Sequence, residues 1–233
     1  MTEAGTLKRW RFAPAVTDHD LARHARVPDL VAGMLARRHA TDADRAAKFL
    51  TPKLTDLHDP ALLPGAPRAA ERIVQAVHDR QPIVIYGDYD VDGVTAGSIL
   101  WHTLRLLGAD VRSYIPHRID EGYGLNCEAI AQLCESTDGR PLIVSVDCGI
   151  TAVEPAAIAQ RAGVDLIITD HHEFDPQALP EAHTLVHPRL GADGEAYPFD
   201  ALCGAGVAFK LAWQIARTHC GSDRLPEAMG EMG

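Results

Sequence analysis

Three short segments of this chain concentrate carboxylates and imidazoles. They are Gly87-Asp88-Tyr89-Asp90-Val91-Asp92-Gly93, then Asp147-Cys148-Gly149, then Asp170-His171-His172-Glu173. Each follows a short apolar run, at residues 83–86, 142–146 and 166–169. Carboxylates gathered in one place repel one another unless protonated or neutralised by a cation, so a metal centre is the economical reading. Oxygen ligands joined by one or two imidazoles suit Mg²⁺ or Mn²⁺, with Mn²⁺ slightly favoured by the histidine. A bridging carboxylate would let two ions sit ~3.5–4 Å apart, the arrangement that activates water and stabilises a leaving oxygen in phosphoester hydrolysis.

Each segment also has a plainer reading. Asp88-x-Asp90-x-Asp92-Gly93 matches the opening of a calcium-binding EF-hand loop, but Ile99 stands where that loop needs its bidentate glutamate, and a strand precedes it instead of a helix. Asp147 alone could cap a helix starting near Thr151, and a lone His171-His172 pair suits a surface loop. Glu173 reads as a loop carboxylate. What raises the three segments together is their common place at the ends of strands.

The elements that must hold them follow from hydrophobic spacing. Short β-branched runs recur at 83–86, 111–115, 142–146, 166–169 and 184–186, separated by helix-compatible stretches. Ala96, Ile99, Leu100, Leu104 and Leu107 fall on one helical face, closed by Gly108. Thr151-x-x-Glu154 suggests a capping box for the next helix, with Pro155 in its first turn and Gly163 at its end. Continuous apolar strands alternating with amphipathic helices imply a parallel α/β sheet with helices on both faces, whose ligands sit beyond the carboxyl ends of the strands.

Two glycine-bearing stretches complete the candidate site. Arg118 and the run Gly122-Tyr123-Gly124 lead into Asn126, a good helix N-cap. A helix N-terminus beside an arginine is a natural phosphate receptor, and the glycines let a ligand approach the backbone. Gly204 and Gly206 similarly open a helix, although tight packing alone can require them.

Before residue 82 no strand pattern occurs. Short helices are expected near residues 30–35 and 46–50, a proline-punctuated connection follows, and a helical period resumes at residues 69–77. A helical N-terminal extension over 1–68 and an α/β domain over 69–233 are therefore expected.

Composition sets outer bounds. The chain has 233 residues, 46% hydrophobic and 23% charged, which is ordinary for a folded protein. No apolar run reaches a membrane-spanning length and the first residues have no apolar signal core, so a cytoplasmic protein with no membrane partner is expected. The five cysteines are odd in number and without a CxxC, which excludes a disulfide scaffold and the usual zinc spacings. A net charge of −10 argues against a general nucleic-acid-coating module.

Taken in order, GDYDVDG, VSVDCGIT, ITDHHE and CGAGVAFKLAW resemble the DHH phosphoesterase superfamily. Within it, IPHRIDEGYGL and FLTPKLTDLHDPALLPGAPRAAERI are similar to the bacterial RecJ single-strand-specific exonucleases. The resemblance implies that Asp90, Asp92, Asp147 and His171 hold two Mn²⁺ or Mg²⁺ ions with Asp147 bridging, and that Asp88 belongs to the same acidic motif. It implies that Asp170 orients the histidine pair and that His172 contacts the scissile phosphate or helps place the leaving group. The implied activity is 5′→3′ hydrolysis of single-stranded DNA to 5′-mononucleotides in recombination and repair, with room for other repair proteins as partners. Related enzymes that cleave pyrophosphate, cyclic dinucleotides or very short RNA share these motifs, and a non-catalytic scaffold of the same fold is the reading from another class.

One departure is expected to matter. The family carries a further ligating aspartate in a GTVAD-like motif, and this chain reaches Gly233 before any such motif. The chain therefore reads as the N-terminal part of a longer protein, lacking the second domain and the modules that grip DNA. Weak or absent nuclease activity is expected of this part alone.

Overall fold

The computed structural model of this chain describes residues 14, 18–117, 122, 124–135, 139–191 and 197–221. It divides into two compact units, Met1–Leu57 and His58–Gly233.

In the first unit, α1 (His19–Ala25), α2 (Asp29–Ala36) and α3 (Ala43–Leu50) pack around Leu21, Ala32, Leu35 and Ala46. Asp18 caps α1 and Asp42 caps α3, each carboxylate accepting a backbone amide of the first turn at 2.8 Å. These caps satisfy donors that a short helix cannot satisfy internally.

The second unit is a five-stranded parallel sheet flanked by helices. Its elements are α4 (Ala66–His78), β1 (Ile83–Gly87), α5 (Val91–Leu106), β2 (Val111–Tyr114), α6 (Cys127–Cys134), β3 (Leu142–Val146), α7 (Val153–Arg161), β4 (Leu166–Thr169), β5 (Thr184–Val186) and α8 (Gly204–Cys220). The strand order is β2-β1-β3-β4-β5. Every strand matches an apolar run of the sequence to within one residue.

Burial on both faces explains why those runs are continuous rather than alternating. Ile83, Ile85, Leu142, Val144, Val146 and Ile167 pack on one side with α4, α5 and α8. Tyr86, Ile143, Leu166 and Ile168 pack on the other with α6 and α7. The expected helices on both faces are thus present, and period-two alternation decides which side each residue serves. Among the described residues no helix is long and apolar enough to cross a membrane.

The chain leaves β1 for β2 on one side and returns to β3 on the other. The sheet therefore reverses its winding direction between β1 and β3, where α/β sheets form a crevice beyond their carboxyl ends.

Two local details differ from the spacing-based expectations. The expected boundary at 68/69 falls inside the first turn of α4, whereas the compact units meet at Leu57/His58. Residues from 58 onward are held by α8: the His58 carbonyl accepts from Lys210 Nζ at 2.5 Å and Tyr197 Oη at 3.2 Å, and Asp59 pairs with Arg217 at 2.5 Å. The expected capping box at Thr151 does not form; α7 begins at Val153 with Ala152 as N-cap and no side-chain cap. The preceding turn is held from elsewhere, since Ile150 N donates to Asp170 at 2.9 Å and Ala152 N to the Gly149 carbonyl at 2.9 Å.

Gly65 precedes α4 with φ of +79°, and an added Cβ there would lie 1.9 Å from the Leu185 carbonyl oxygen of β5. Gly108 shares that φ of +79° but has nothing within 4 Å of an added Cβ. Gly108→Ala should therefore cost only the left-handed conformation, about 1–2 kcal/mol, and Gly65→Ala distinctly more. Urea denaturation of the two variants checks this order, and equal losses would contradict it.

Candidate metal centre

The three acidic segments converge because their strands are neighbours. β1 and β3 pair in register, with Gly87 opposite Val146, so Asp88 and Asp147 leave the sheet side by side. β4 lies on the other side of β3, with Val146 opposite Thr169, which brings Asp170 beside Asp147. Asp88, Asp147 and Asp170 are each 1% exposed.

Each carboxylate is aimed by backbone donors. Asp90 caps α5, its Oδ1 accepting from Asp92 N at 2.8 Å and Gly93 N at 2.9 Å. Asp92 reaches the start of α8, accepting from Gly204 N and Ala205 N at 2.7 Å each. A carboxylate on a helix N-terminus is stabilised by the unpaired amides and the helix dipole. Burial alone would raise the Asp92 acid, but these amides, the Cys203 thiol and His171 hold it below its ordinary value.

Asp170 gathers four donors: Ile150 N at 2.9 Å, His171 N at 2.7 Å, His172 N at 3.1 Å and His172 Nδ1 at 2.7 Å. With Nδ1 donating, Nε2 of His172 is left as the ligating or accepting nitrogen. Burial lowers the His172 imidazole, yet the Asp170 hydrogen bond and charge, with Asp147 and Asp88, keep it above its ordinary value. Asp170 thus accepts from both the backbone and a ring nitrogen of the histidine pair.

Asp147 is the exception among these acids. Its Oδ1 is buried with no hydrogen-bond partner, and His171 Nε2, though 3.1 Å away, is not in hydrogen-bonding geometry with it. Burial, then the charges of Asp92 and Asp90, push this acid up to about 7. Its φ of +61° is the left-handed region, at about 1–2 kcal/mol for a residue with a Cβ. An orphaned buried carboxylate oxygen among acids and imidazoles is the signature of a site built for a cation.

Two sets of donors come within coordinating reach. Asp88, Asp90 and Asp147 offer ligand atoms within 4.8 Å of one another, as do Asp147, His171 and His172. Asp147 belongs to both. Asp92 joins neither set; its Oδ2 lies 3.5 Å from His171 Nε2 while both oxygens serve α8. The oxygen-rich donors with imidazole fit Mn²⁺ or Mg²⁺.

The glycines show how tightly the centre is closed. A Cβ on Gly204 would sit 2.3 Å from Asp147 Oδ1, and one on Gly93 would sit 2.6 Å from Asp88 Cβ. Gly206 instead packs near Leu202, its amide donating to Cys203 Sγ at 3.4 Å. Of the second glycine stretch, Gly122 and Gly124 have φ of +79° and +78°, and the Gly124 carbonyl accepts from Tyr86 Oη at 3.0 Å. Asn126 caps α6 as expected, accepting from Ala129 N at 2.7 Å. Arg118 and Tyr123 lie outside the described residues.

Sequence reasoning passed over two residues after β5. His187, fully buried, accepts from Arg189 N on Nδ1 at 3.1 Å, so its Nε2 donates to the His172 carbonyl at 2.9 Å. Arg189 donates Nη2 to the His171 carbonyl at 2.8 Å and pairs Nη1 with Glu173 at 2.5 Å. The available signal was their place, since they too follow a strand at the same edge of the sheet.

Known proteins resemble this chain in sequence and in fold. The profile of the DHH family, N-terminal domain, matches residues 82–231. The chain is 46% identical over 206 residues to the single-stranded-DNA-specific exonuclease RecJ of Bacillus subtilis, covering 88% of this chain and 26% of that protein. To the RecJ of Thermus thermophilus it is 42% identical over 163 residues, covering 69% and 23%. Among solved structures, Thermus thermophilus RecJ in complex with Mn²⁺ matches with a TM-score of 0.66 at 31% identity, covering 89% of this chain and 28% of that one. An exonuclease RecJ bound to manganese matches with a TM-score of 0.61 at 38% identity, covering 70% and 40%. The chain thus spans about a quarter of the length of these two curated relatives.

Two predictions follow from the crowding around Asp147. Gly204→Ala should weaken Mn²⁺ binding by about tenfold or more by displacing that carboxylate, with the fold retained; calorimetry beside circular dichroism reads both, and unaltered affinity would be evidence against the crowding. In metal-free protein, folded Asp147 keeps its proton to about pH 7 while its ordinary value is 3.8. The folded state therefore binds more protons in that window, and stability falls as pH rises from about 4 to about 7. Asp147→Asn should flatten this slope and raise the melting temperature at alkaline pH, as measured by thermal melts in chelator.

Proposed function

Since this chain belongs to the DHH family, we propose that it is the metal-binding part of a phosphodiesterase that degrades single-stranded DNA from its 5′ end, releasing 5′-mononucleotides. The buried, unpartnered Oδ1 of Asp147 carries the reading, because a centre so arranged calls for a cation. The names of the matched relatives supply the substrate class, and two matched structures contain manganese. In such a protein the partners are single-stranded DNA, the remaining domains of the longer chain, and other repair proteins.

Asp88, Asp90, Asp147 and His171 would hold the ions, with Asp147 shared between them. Mn²⁺ or Mg²⁺ bound there would neutralise phosphate charge and lower the pKa of water. The protein's own groups do the positioning. Asp170 locks His172 with Nε2 outward, so that this imidazole meets the scissile phosphate or the leaving oxygen. Asp92 ties the acidic turn to the start of α8 and so fixes the distance between two walls of the site. Gly122, Gly124 and the capped start of α6 offer backbone approach to a phosphate. Preorganised donors of this kind need no rearrangement when charge develops.

The acidic surface is consistent with a nucleic-acid substrate under this reading. Part of the net charge of −10 is the centre itself, and bound divalent ions reverse the local sign.

The test is turnover of 5′-labelled single-stranded DNA, pyrophosphate and dinucleotides by a protein carrying this domain with its remaining domains. Mn²⁺-dependent release of 5′-mononucleotides from DNA is expected, and Asp147→Ala or Asp90→Ala should lower it by about 10³-fold or more without unfolding. Wild-type turnover by Asp147→Ala would overturn the assignment, and preference for pyrophosphate would move the protein to another branch of the family.

A further inference from the structure

Beside the acidic cluster lies a recess of about 300 Å³, lined by His171, Arg189, Asp200, Ala201, Leu202 and Cys203. His171 belongs to the metal-binding set, so the recess opens directly onto the centre. Arg189 is the permanently charged cation among these lining residues. Its guanidinium is divided between two acceptors of different kinds. Nη2 is fixed on the His171 carbonyl at 2.8 Å, whereas Nη1 meets Glu173 at 2.5 Å. The Glu173 side chain is 90% exposed, against 31% for Arg189. An ion pair with one partner in open water is weak and easily exchanged.

We propose that Arg189 is a substrate-binding residue for a phosphodiester group next to the scissile one, and that Glu173 occupies its place until DNA arrives. The inference rests on the phosphodiesterase reading above. A carboxylate and a phosphate present similar paired oxygens to a guanidinium, and the phosphate binds in charge-assisted, forked geometry. The backbone contact to His171 and the Arg189 N–H to His187 hold the guanidinium in place, so exchanging Glu173 for phosphate requires only a loop carboxylate to swing into solvent. Asp200, also exposed, lines the recess and supplies a second carboxylate that keeps it from retaining phosphate indiscriminately.

Arg189 could instead serve only to brace the His171 loop, and the two roles separate on measurement. The probe is a 3′-fluorescein-labelled phosphorothioate oligothymidine, bound to the 233-residue chain in Mn²⁺ and followed by anisotropy across a salt series. Glu173→Gln, a fully surface substitution, should tighten binding by about threefold because it removes the competitor. Arg189→Gln should weaken binding by about tenfold and lower the slope of log K against log salt by about one. Calorimetry with Mn²⁺ alone identifies a bracing role, which would weaken metal binding by Arg189→Gln and leave Glu173→Gln indistinguishable from the parent. Unaltered oligonucleotide binding by Glu173→Gln, or an unaltered salt slope for Arg189→Gln, overturns the inference while leaving the phosphodiesterase reading in place. Absence of Mn²⁺-dependent oligonucleotide binding by the parent chain overturns the inference, whereas turnover by the longer protein decides the phosphodiesterase reading.

Discussion

Burying several carboxylates within reach of one another is electrostatically unfavourable, and most of this unit is arranged around that constraint. Asp88, Asp147 and Asp170 are almost fully enclosed, and Asp90 and Asp92 crowd them from the adjoining turn. Water cannot screen such a group, so each charge must find a fixed donor, a proton or a cation. Asp170 finds four hydrogen bonds, Asp92 a helix N-terminus, and Asp90 the first turn of its own helix. Asp147 finds none for one of its oxygens, and burial, then the charges of Asp92 and Asp90, make it hold a proton in the absence of metal.

The same constraint accounts for features otherwise unrelated. Gly204 is required because α8 must bring its amides to Asp92 while passing against Asp147. Gly93 is required because α5 starts directly on the backbone of Asp88. His187 and Arg189 brace the histidine loop from behind, through carbonyls that the sheet does not use. Packing and chemistry are therefore coupled at this edge: a methyl group added for stability would displace a ligand.

Much of this arrangement was legible in the amino-acid order. The runs at 83–86, 142–146 and 166–169 became strands buried on both faces, since a run of that length with β-branched residues has few other uses, whereas the edge strand β2 exposes Arg112 and Ser113. Asn126 capped its helix, and Gly108 and Gly163 closed theirs with positive φ, because these are local backbone effects with little competition. The capping box at Thr151 failed because Asp170, distant in sequence, already held the preceding turn. That residues 58 and 59 belong with the second compact unit was not legible, because Lys210, Tyr197 and Arg217 hold them across a long sequence separation. For His187 the sequence offered only its place after a strand, since a histidine donating to a backbone carbonyl otherwise looks like any other histidine.

By itself the sequence determined the class of fold, the three acidic segments and their place at strand ends, because hydrophobic period and residue type are local properties. It also determined the DHH membership through the order of those segments. Only the tertiary structure decided which acids find fixed backbone donors and which does not. Asp92 and Asp147 are equivalent as letters, yet one meets the amides of α8 and the other has an oxygen without a donor. That difference comes from which strand neighbours which, and strand order is settled by packing over the whole sheet rather than by any single segment.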